Sequence, residues 1–433
     1  DFVVVDTSAA QTKRITRDEL KSVVGAGDLN DLSDATTNSS GKTIGIGTDA
    51  LANDDGTTNN NTALGYKAGE DITSGSGNFF GGFQAALNAT TADNTVAIGN
   101  SAIGTGVMTG TDNTAIGRLA GNDLTSGAYN FFSGYAAGFN VTTADYTIAI
   151  GSQAIGLGVT TGDHNIALGR FAGYDLTSGN NNFFAGFYAG FNVTTGTYNI
   201  SQGYQAGYTA TTGSYNIFQG YQAGYNATTV TGSIGIGRSA FGLGVLTGAN
   251  NIGIGYQAGY DLTSGAYNNF MGYQAGANAT TATDNIAIGR SAIGTAVLTG
   301  DRNIAIGRLA GNNLTSGSYN TFMGYNSGSN ATTAQFNTAI GYSTIGVGVL
   351  TGTDNIAIGR QAGNDISSGN YNLAVGYRAG YELTTGIDNT LLGTQAGDVL
   401  TTGSNNTIIG HDAAASAADV SNEITLGNTS ITA

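Results

Sequence analysis

The stretch Asn303-Ile304-Ala305-Ile306-Gly307-Arg308-Leu309-Ala310-Gly311 decides the fold, because the chain keeps rewriting it. Versions of Asn-x-Ala-Ile-Gly-x-x-Ala-Gly recur around 23 anchor glycines, from Gly47 to Gly427, and every step is 17 or 18 residues. A period this strict means short stacked units, each able to bury its apolar face only against its neighbours. Counting from the anchor glycine as position 0, positions −3 and −1 are mostly Ile, Leu, Val or Thr, as in Ile166 and Leu168. β-Branched residues two apart read as a short strand. Thr125-Ser126-Gly127 and its repeats then read as turns. The sequence predicts an all-β fold, an elongated parallel β-roll or β-solenoid with 17–18-residue coils. At about 4.8 Å per coil, the 22 steps would give a rod of roughly 105 Å.

Composition agrees. There are 71 Gly among 433 residues, no Pro, no Cys and only 10% charged residues. Without Pro or a Gly-X-Y period, collagen is excluded. Without cysteine there are no disulfide staples and no thiolate ligands. The formal charge of −15 disfavours nucleic acid and anionic membranes as partners. The apolar runs are too short for a transmembrane helix, so no membrane insertion is expected.

Position −2 is usually small, as at Ala115, Ala167 and Ala305, and position +3 is Ala in 20 of 23 coils. Tiny residues at fixed offsets imply a narrow lumen. Steps of 18, 17 and 17 build a 52-residue super-repeat, seen at Gly65, Gly117 and Gly169 and again at Gly255, Gly307 and Gly359. Phe occupies −2 at Phe80, Phe132, Phe184, Phe218, Phe270 and Phe322, and the residue after it is never Ile. Adjacent strand residues point to opposite faces. Both faces are therefore expected to be packed, one on the lumen and one on a neighbouring chain. Asn at −4 (Asn61, Asn113, Asn165, Asn303, Asn355) predicts an amide ladder between coils.

Position +1 is aromatic in 11 coils, including Tyr66, Phe83, Tyr135, Phe187, Tyr204, Tyr221, Tyr256, Tyr273, Tyr325, Tyr342 and Tyr377. It is Arg in six: Arg118, Arg170, Arg238, Arg290, Arg308 and Arg360. Two readings stand side by side. One is a structural ladder of stacked rings, with Arg packed on rings or paired with Asp. The other is a binding strip for glycan or protein. The ladder is favoured, because a selected binding patch is local rather than spread along a whole rod.

The ends depart from the period. Residues 1–42 form an attachment segment and connector. Phe2–Val5 reads as a strand, and Thr16-Arg17-Asp18-Glu19 is a capping-box pattern that predicts a short helix from Arg17. Lys13, Arg14, Arg17 and Lys21 are candidates for docking. The polar stretch Gly25–Gly41 reads as a connector. Residues 43–412 are the repetitive shaft. Residues 413–433 hold an alanine-rich interruption and one last coil.

Little in the chain suggests catalysis. His164 and His411 are too far apart for a triad or a zinc site. Acids recur at Asp123, Asp175, Asp261 and Asp365, and at Asp112, Asp163, Asp284, Asp301 and Asp354. Paired carboxylates hydrolyse glycans, but this regularity fits turn caps better. No Gly-Gly-x-Gly-x-Asp calcium-roll pattern is present. No catalytic residue, cofactor or metal ligand is assigned, and the chain is expected not to be an enzyme.

Three pieces resemble bacteriophage tail or side fibres, particularly marine ones: the opening Val3–Leu20, the Asn-x-Ala-Ile-Gly-x-x-Ala-Gly repeats, and the ending Ser421–Ala433. The repeats are also similar to the heads of trimeric autotransporter adhesins, though this chain shows no coiled-coil stalk or anchor. The resemblance implies a homotrimer, with a virion tail or baseplate protein as partner at the N-terminal end. It implies a host surface glycan or protein as receptor, and a virion location after assembly in the host cytoplasm. It also implies a cleavable intramolecular chaperone beyond Ala433. The sequence alone leaves a bacterial trimeric adhesin and a glycan-degrading tailspike as alternatives.

Overall fold

The computed structural model describes residues 2–6, 11–15, 35–38, 42–57 and 59–430. The chain divides into two units, residues 1–182 and 183–433.

In the first unit, β1 (Phe2–Asp6) pairs antiparallel with β2 (Gln11–Ile15). The strand expected at Phe2–Val5 is therefore present, with a partner that the sequence reading did not foresee. The helix expected from Arg17 lies outside the described residues. The connector reading of Gly25–Gly41 needs correction, because β3 (Ala35–Asn38) is a strand within it. It pairs antiparallel with β4 (Thr43–Ile46), Thr37 facing Ile44.

From β4 onward every partner is parallel. β5 (Thr62–Leu64), β6 (Phe79–Gly81), β7 (Val96–Ile98), β8 (Thr114–Ile116), β9 (Phe131–Ser133), β10 (Ile148–Ile150) and β11 (Ile166–Leu168) follow, one per coil. Register is held position on position, as where Ile148, Ala149 and Ile150 meet Ile166, Ala167 and Leu168. The second unit repeats the plan with fifteen parallel strands, from β12 (Phe183–Ala185) to β26 (Ile424–Leu426). Each unit is thus a parallel β-solenoid with three-residue strands, and no helix occurs among the described residues.

Why the anchor is glycine is plain at Gly134. Its φ is +132°, and a Cβ there would lie 2.8 Å from both C and O of Gly151, the next anchor. Backbone meets backbone at this edge, leaving no room for a side chain. Other corners use left-handed residues that are not glycine. Ala136 (φ 51°) and Tyr129 (φ 59°) are two, held by Ala136 N donating to Arg118 O at 2.9 Å and Tyr129 N donating to Thr111 O at 3.0 Å. Such backbone persists only where surrounding bonds over-determine it.

The lumen is filled by positions −2 and +3, with a leucine such as Leu124 or Leu262; these are buried in every coil but the last, where Thr425 is half-buried and Ser430 exposed. Large rings are matched to missing ones. Phe132 lies over two glycines: a Cβ on Gly121 would come 2.7 Å from its ring, and one on Gly138 2.5 Å. In the second unit the ring moves to Phe241, and the strand positions beside it become Gly235 and Gly253; a Cβ on Gly253 would lie 2.6 Å from Phe241 Cζ. Volume is therefore balanced inside the lumen, between −2 and +4, at the density interiors require.

The asparagine ladder is present. Asn113 Oδ1 accepts from both N (3.0 Å) and Nδ2 (3.1 Å) of Asn130, and Asn130 Nδ2 also donates to Ala144 O at 2.8 Å. These residues are buried, so each amide satisfies backbone that water cannot reach. The outer strand face is different. Positions −3 and −1 remain half-buried or exposed, with Leu64 54% exposed in the first unit and Leu392 43% in the second.

Candidate functional site

The coil geometry dictates what the surface offers. The anchor glycine turns the chain away from the strand, and the residue after it projects outward. Because the coils pair in register, these outward side chains fall in a column at the coil spacing of about 4.8 Å.

In the first unit Tyr66 stacks on Phe83 with ring centroids 5.3 Å apart. Arg118 lies over Tyr135 at 5.6 Å. Arg170 lies over its neighbour Phe171 at 4.7 Å. In the second unit Phe187, Tyr204 and Tyr221 stack at 5.7 and 5.1 Å. Arg238 sits between Tyr221 (5.7 Å) and Tyr256 (5.6 Å), and Tyr256 stacks on Tyr273 at 5.0 Å. Arg290 lies over Tyr273 at 5.6 Å and Arg308 over Tyr325 at 5.5 Å. Tyr325 stacks on Tyr342 at 5.2 Å. Arg360 is held between Tyr342 (5.9 Å) and Tyr377 (5.4 Å). These arginines are exposed yet lie on rings. Among the described residues, none of Arg118, Arg238, Arg290, Arg308 and Arg360 is within ion-pair distance of a carboxylate. His411, at the same offset, faces Asp412 at 3.1 Å.

Where rings and arginines follow one another, ring faces are covered inside this column. What reaches solvent is a line of ring edges, phenol hydroxyls and guanidinium N–H groups.

A second aromatic column escaped the sequence reading. It stands at the corner just before the asparagine ladder. Tyr129 stacks on Tyr146 at 4.8 Å and Tyr146 on His164 at 5.0 Å. In the second unit Tyr198 stacks on Tyr215 at 5.1 Å and Tyr319 on Phe336 at 4.9 Å. Arg302 lies over Tyr319 at 5.3 Å and pairs with Asp284 at 3.7 Å. The recurring Tyr-Asn and Tyr-Thr pairs, such as Tyr129-Asn130 and Tyr146-Thr147, were the visible sign of it.

Several of the recurring acids are tied into the scaffold. Asp163 Oδ1 accepts from Asp145 N at 2.8 Å and Asp301 Oδ1 from Thr283 N at 2.7 Å. Asp123 Oδ1 accepts from Asn122 Nδ2 at 2.8 Å and from the Thr105 hydroxyl. Among the described residues no three His, Asp or Glu side chains gather as a metal site would require. Partial burial raises the Asp175 and Asp261 carboxyls above the ordinary carboxylate range. A folded pKa above the unfolded one opposes folding once both forms are ionised. Asp175→Asn is therefore expected to raise the melting temperature slightly at pH 7. The gain should disappear below the usual carboxylate range, where Asp175 is protonated folded and unfolded; calorimetry at two pH values reads it.

One pocket of about 220 Å³ opens beside the first-unit column, lined by Leu119, Tyr135, Phe139, Asn140, Gln153 and Tyr174, among others. Lys13 and Arg14 belong to β2, while Arg17 and Lys21 lie outside the described residues. No helix among the described residues is long and apolar enough to cross a membrane. No protein-family model matches this chain, and no curated protein sequence does. The parallel β-solenoid architecture is consistent with a fibrous, adhesin-type structural protein.

Proposed function

We propose that this chain is the shaft of a homotrimeric bacteriophage tail fibre, which carries an adhesive function to the host cell surface. It works by reach and attachment rather than by catalysis. Residues 1–42, with Lys13, Arg14, Arg17 and Lys21, face a virion tail or baseplate protein. A host surface glycan or protein is the receptor, and the virion is the chain's location.

The observation that carries this reading is the outer strand face. Leu64, Ile116 and Ile150 in the first unit, and Ile200, Ile356 and Leu392 in the second, all lie exposed on it. Contiguous exposed apolar surface of this kind marks a protein–protein interface. A face that repeats with every coil fits a partner that repeats too, which is another copy of the chain. The opening Val3–Leu20 and the ending Ser421–Ala433 favour a phage fibre over a bacterial trimeric adhesin. The tying of Asp123, Asp163 and Asp301 into the scaffold argues against a glycan-degrading spike.

Sedimentation equilibrium tests the assembly. The expected mass is three times the 43.5 kDa chain; a stable monomer at micromolar concentration would overturn the reading. Charges on the outer face, as in Ile150→Asp with Ile200→Asp, should dissociate the assembly. A coding sequence flanked by tail genes separates phage from adhesin.

A further inference from the structure

We propose that Arg290 and Arg308 form a binding site for the anionic groups of an acidic polysaccharide. The inference rests on the adhesive role proposed above and names the chemistry of one contact.

The outward column is punctuated by six arginines, and two of them are shielded on both sides. Arg238 and Arg360 have a tyrosine on both sides, within 5.4–5.9 Å. Arg290 and Arg308 are arranged differently. They occupy the same offset in consecutive coils, whose strands Ile286–Ile288 and Ile304–Ile306 pair in register. Each has one tyrosine, Tyr273 or Tyr325, and on its other side the next guanidinium. Among the described residues this is the single place in the column where two arginines are consecutive. Like charges one coil apart repel.

The chain holds no answering acid at this site. Neither arginine is within ion-pair distance of a carboxylate among the described residues. Where this chain neutralises an exposed arginine itself, it does so visibly, as with Arg302 and Asp284. Two adjacent guanidinium groups with outward N–H edges suit a carboxylate or sulfate, which accepts paired, charge-assisted hydrogen bonds.

The surroundings select the kind of polymer. The tyrosines flanking the pair have their faces covered by stacking, so they offer hydroxyl edges and no platform for bases, which single-stranded nucleic acid needs. Duplex DNA requires many phosphate contacts, and this site has two cations in a chain of net charge −15. A protein partner would require a buried apolar or aromatic anchor, and the column presents none at this point. A linear polymer with acidic groups among hydroxyls meets both the guanidinium pair and the phenol hydroxyls above and below it.

The test uses the full purified chain at low salt, with alginate (a polyuronate), dextran sulfate, neutral dextran, polyglutamate and single-stranded DNA as probes. Binding is read by calorimetry. The expected result is binding of alginate or dextran sulfate, none of neutral dextran, and at least tenfold weaker binding by the R290Q/R308Q variant with an unchanged melting temperature. R238Q/R360Q removes the same charge from the shielded positions and should change affinity less than twofold. No binding of either acidic polysaccharide overturns the proposal. So does equal loss in the two double variants, or equally tight binding of polyglutamate or DNA. Because the readout is soluble polymer, it fails independently of the trimer mass that tests the proposed function.

Discussion

Gly134→Ala is expected to destabilise the first unit by about 3 kcal/mol or more, the sum of a strained backbone and a collision that cannot be relieved. At φ +132° an L-residue is already strained, and the new Cβ would press on C and O of Gly151 at 2.8 Å. A flexible side chain could swing aside; a carbonyl fixed in a ladder cannot. The collision also separates two coils whose strands β9 and β10 exchange backbone hydrogen bonds. Because each coil leans only on its neighbours, the damage should be local. Hydrogen exchange should show lost protection around residues 131–151, with distant coils of the unit less affected. A variant that melts with the wild type would show that the anchor is dispensable.

Asn320 is the second decisive position. Its Nδ2 donates to Asn303 Oδ1 at 3.0 Å and to Ala334 O at 2.7 Å. Its Oδ1 accepts from Asn337 N at 3.1 Å and from Asn337 Nδ2 at 3.2 Å. Asn320→Leu keeps the volume and removes every one of these bonds, leaving Asn337 N and Ala334 O buried without their partners. Each unsatisfied buried group costs about 1–3 kcal/mol, so a loss of roughly 2–6 kcal/mol is expected for the two. Serine should be milder, because the column already tolerates it: Ser233 Oγ accepts from Asn251 N at 3.1 Å. Denaturant midpoints should therefore rank Asn above Ser above Leu. An Asn320→Leu chain as stable as the Asn320→Ser chain would refute the ladder's role.

Much of the coil could be read from the sequence because the repeat prints each position more than twenty times. The strand at −3 to −1, the narrow lumen at +3 and the asparagine ladder all come from residue types with one plausible use. The reading stopped where a residue type has no fixed meaning. Left-handed backbone is expected of glycine, yet Tyr129, Ala136 and Tyr319 (φ 61°) also adopt it; their conformation is imposed by neighbouring coils and leaves no mark in their identity. Phenylalanine at −2 was compared with −1, its neighbour in sequence, while its partner in volume was glycine at +4, across the lumen. The column at +1 was visible in the sequence. Which of its arginines are shielded depended on whether the coil above or below supplied a ring, and that emerged from distances.

The antiparallel strand β3 has one more consequence. A parallel stack of near-identical coils is a template for its own kind, since each edge presents the hydrogen-bonding pattern that the next coil would fill. β3 runs opposite to β4, so a further coil added in the sense of the stack would meet it antiparallel, with the alternating bond spacing of that pairing and not the even spacing of the parallel ladder. It acts as a chain terminator does in a polymerisation.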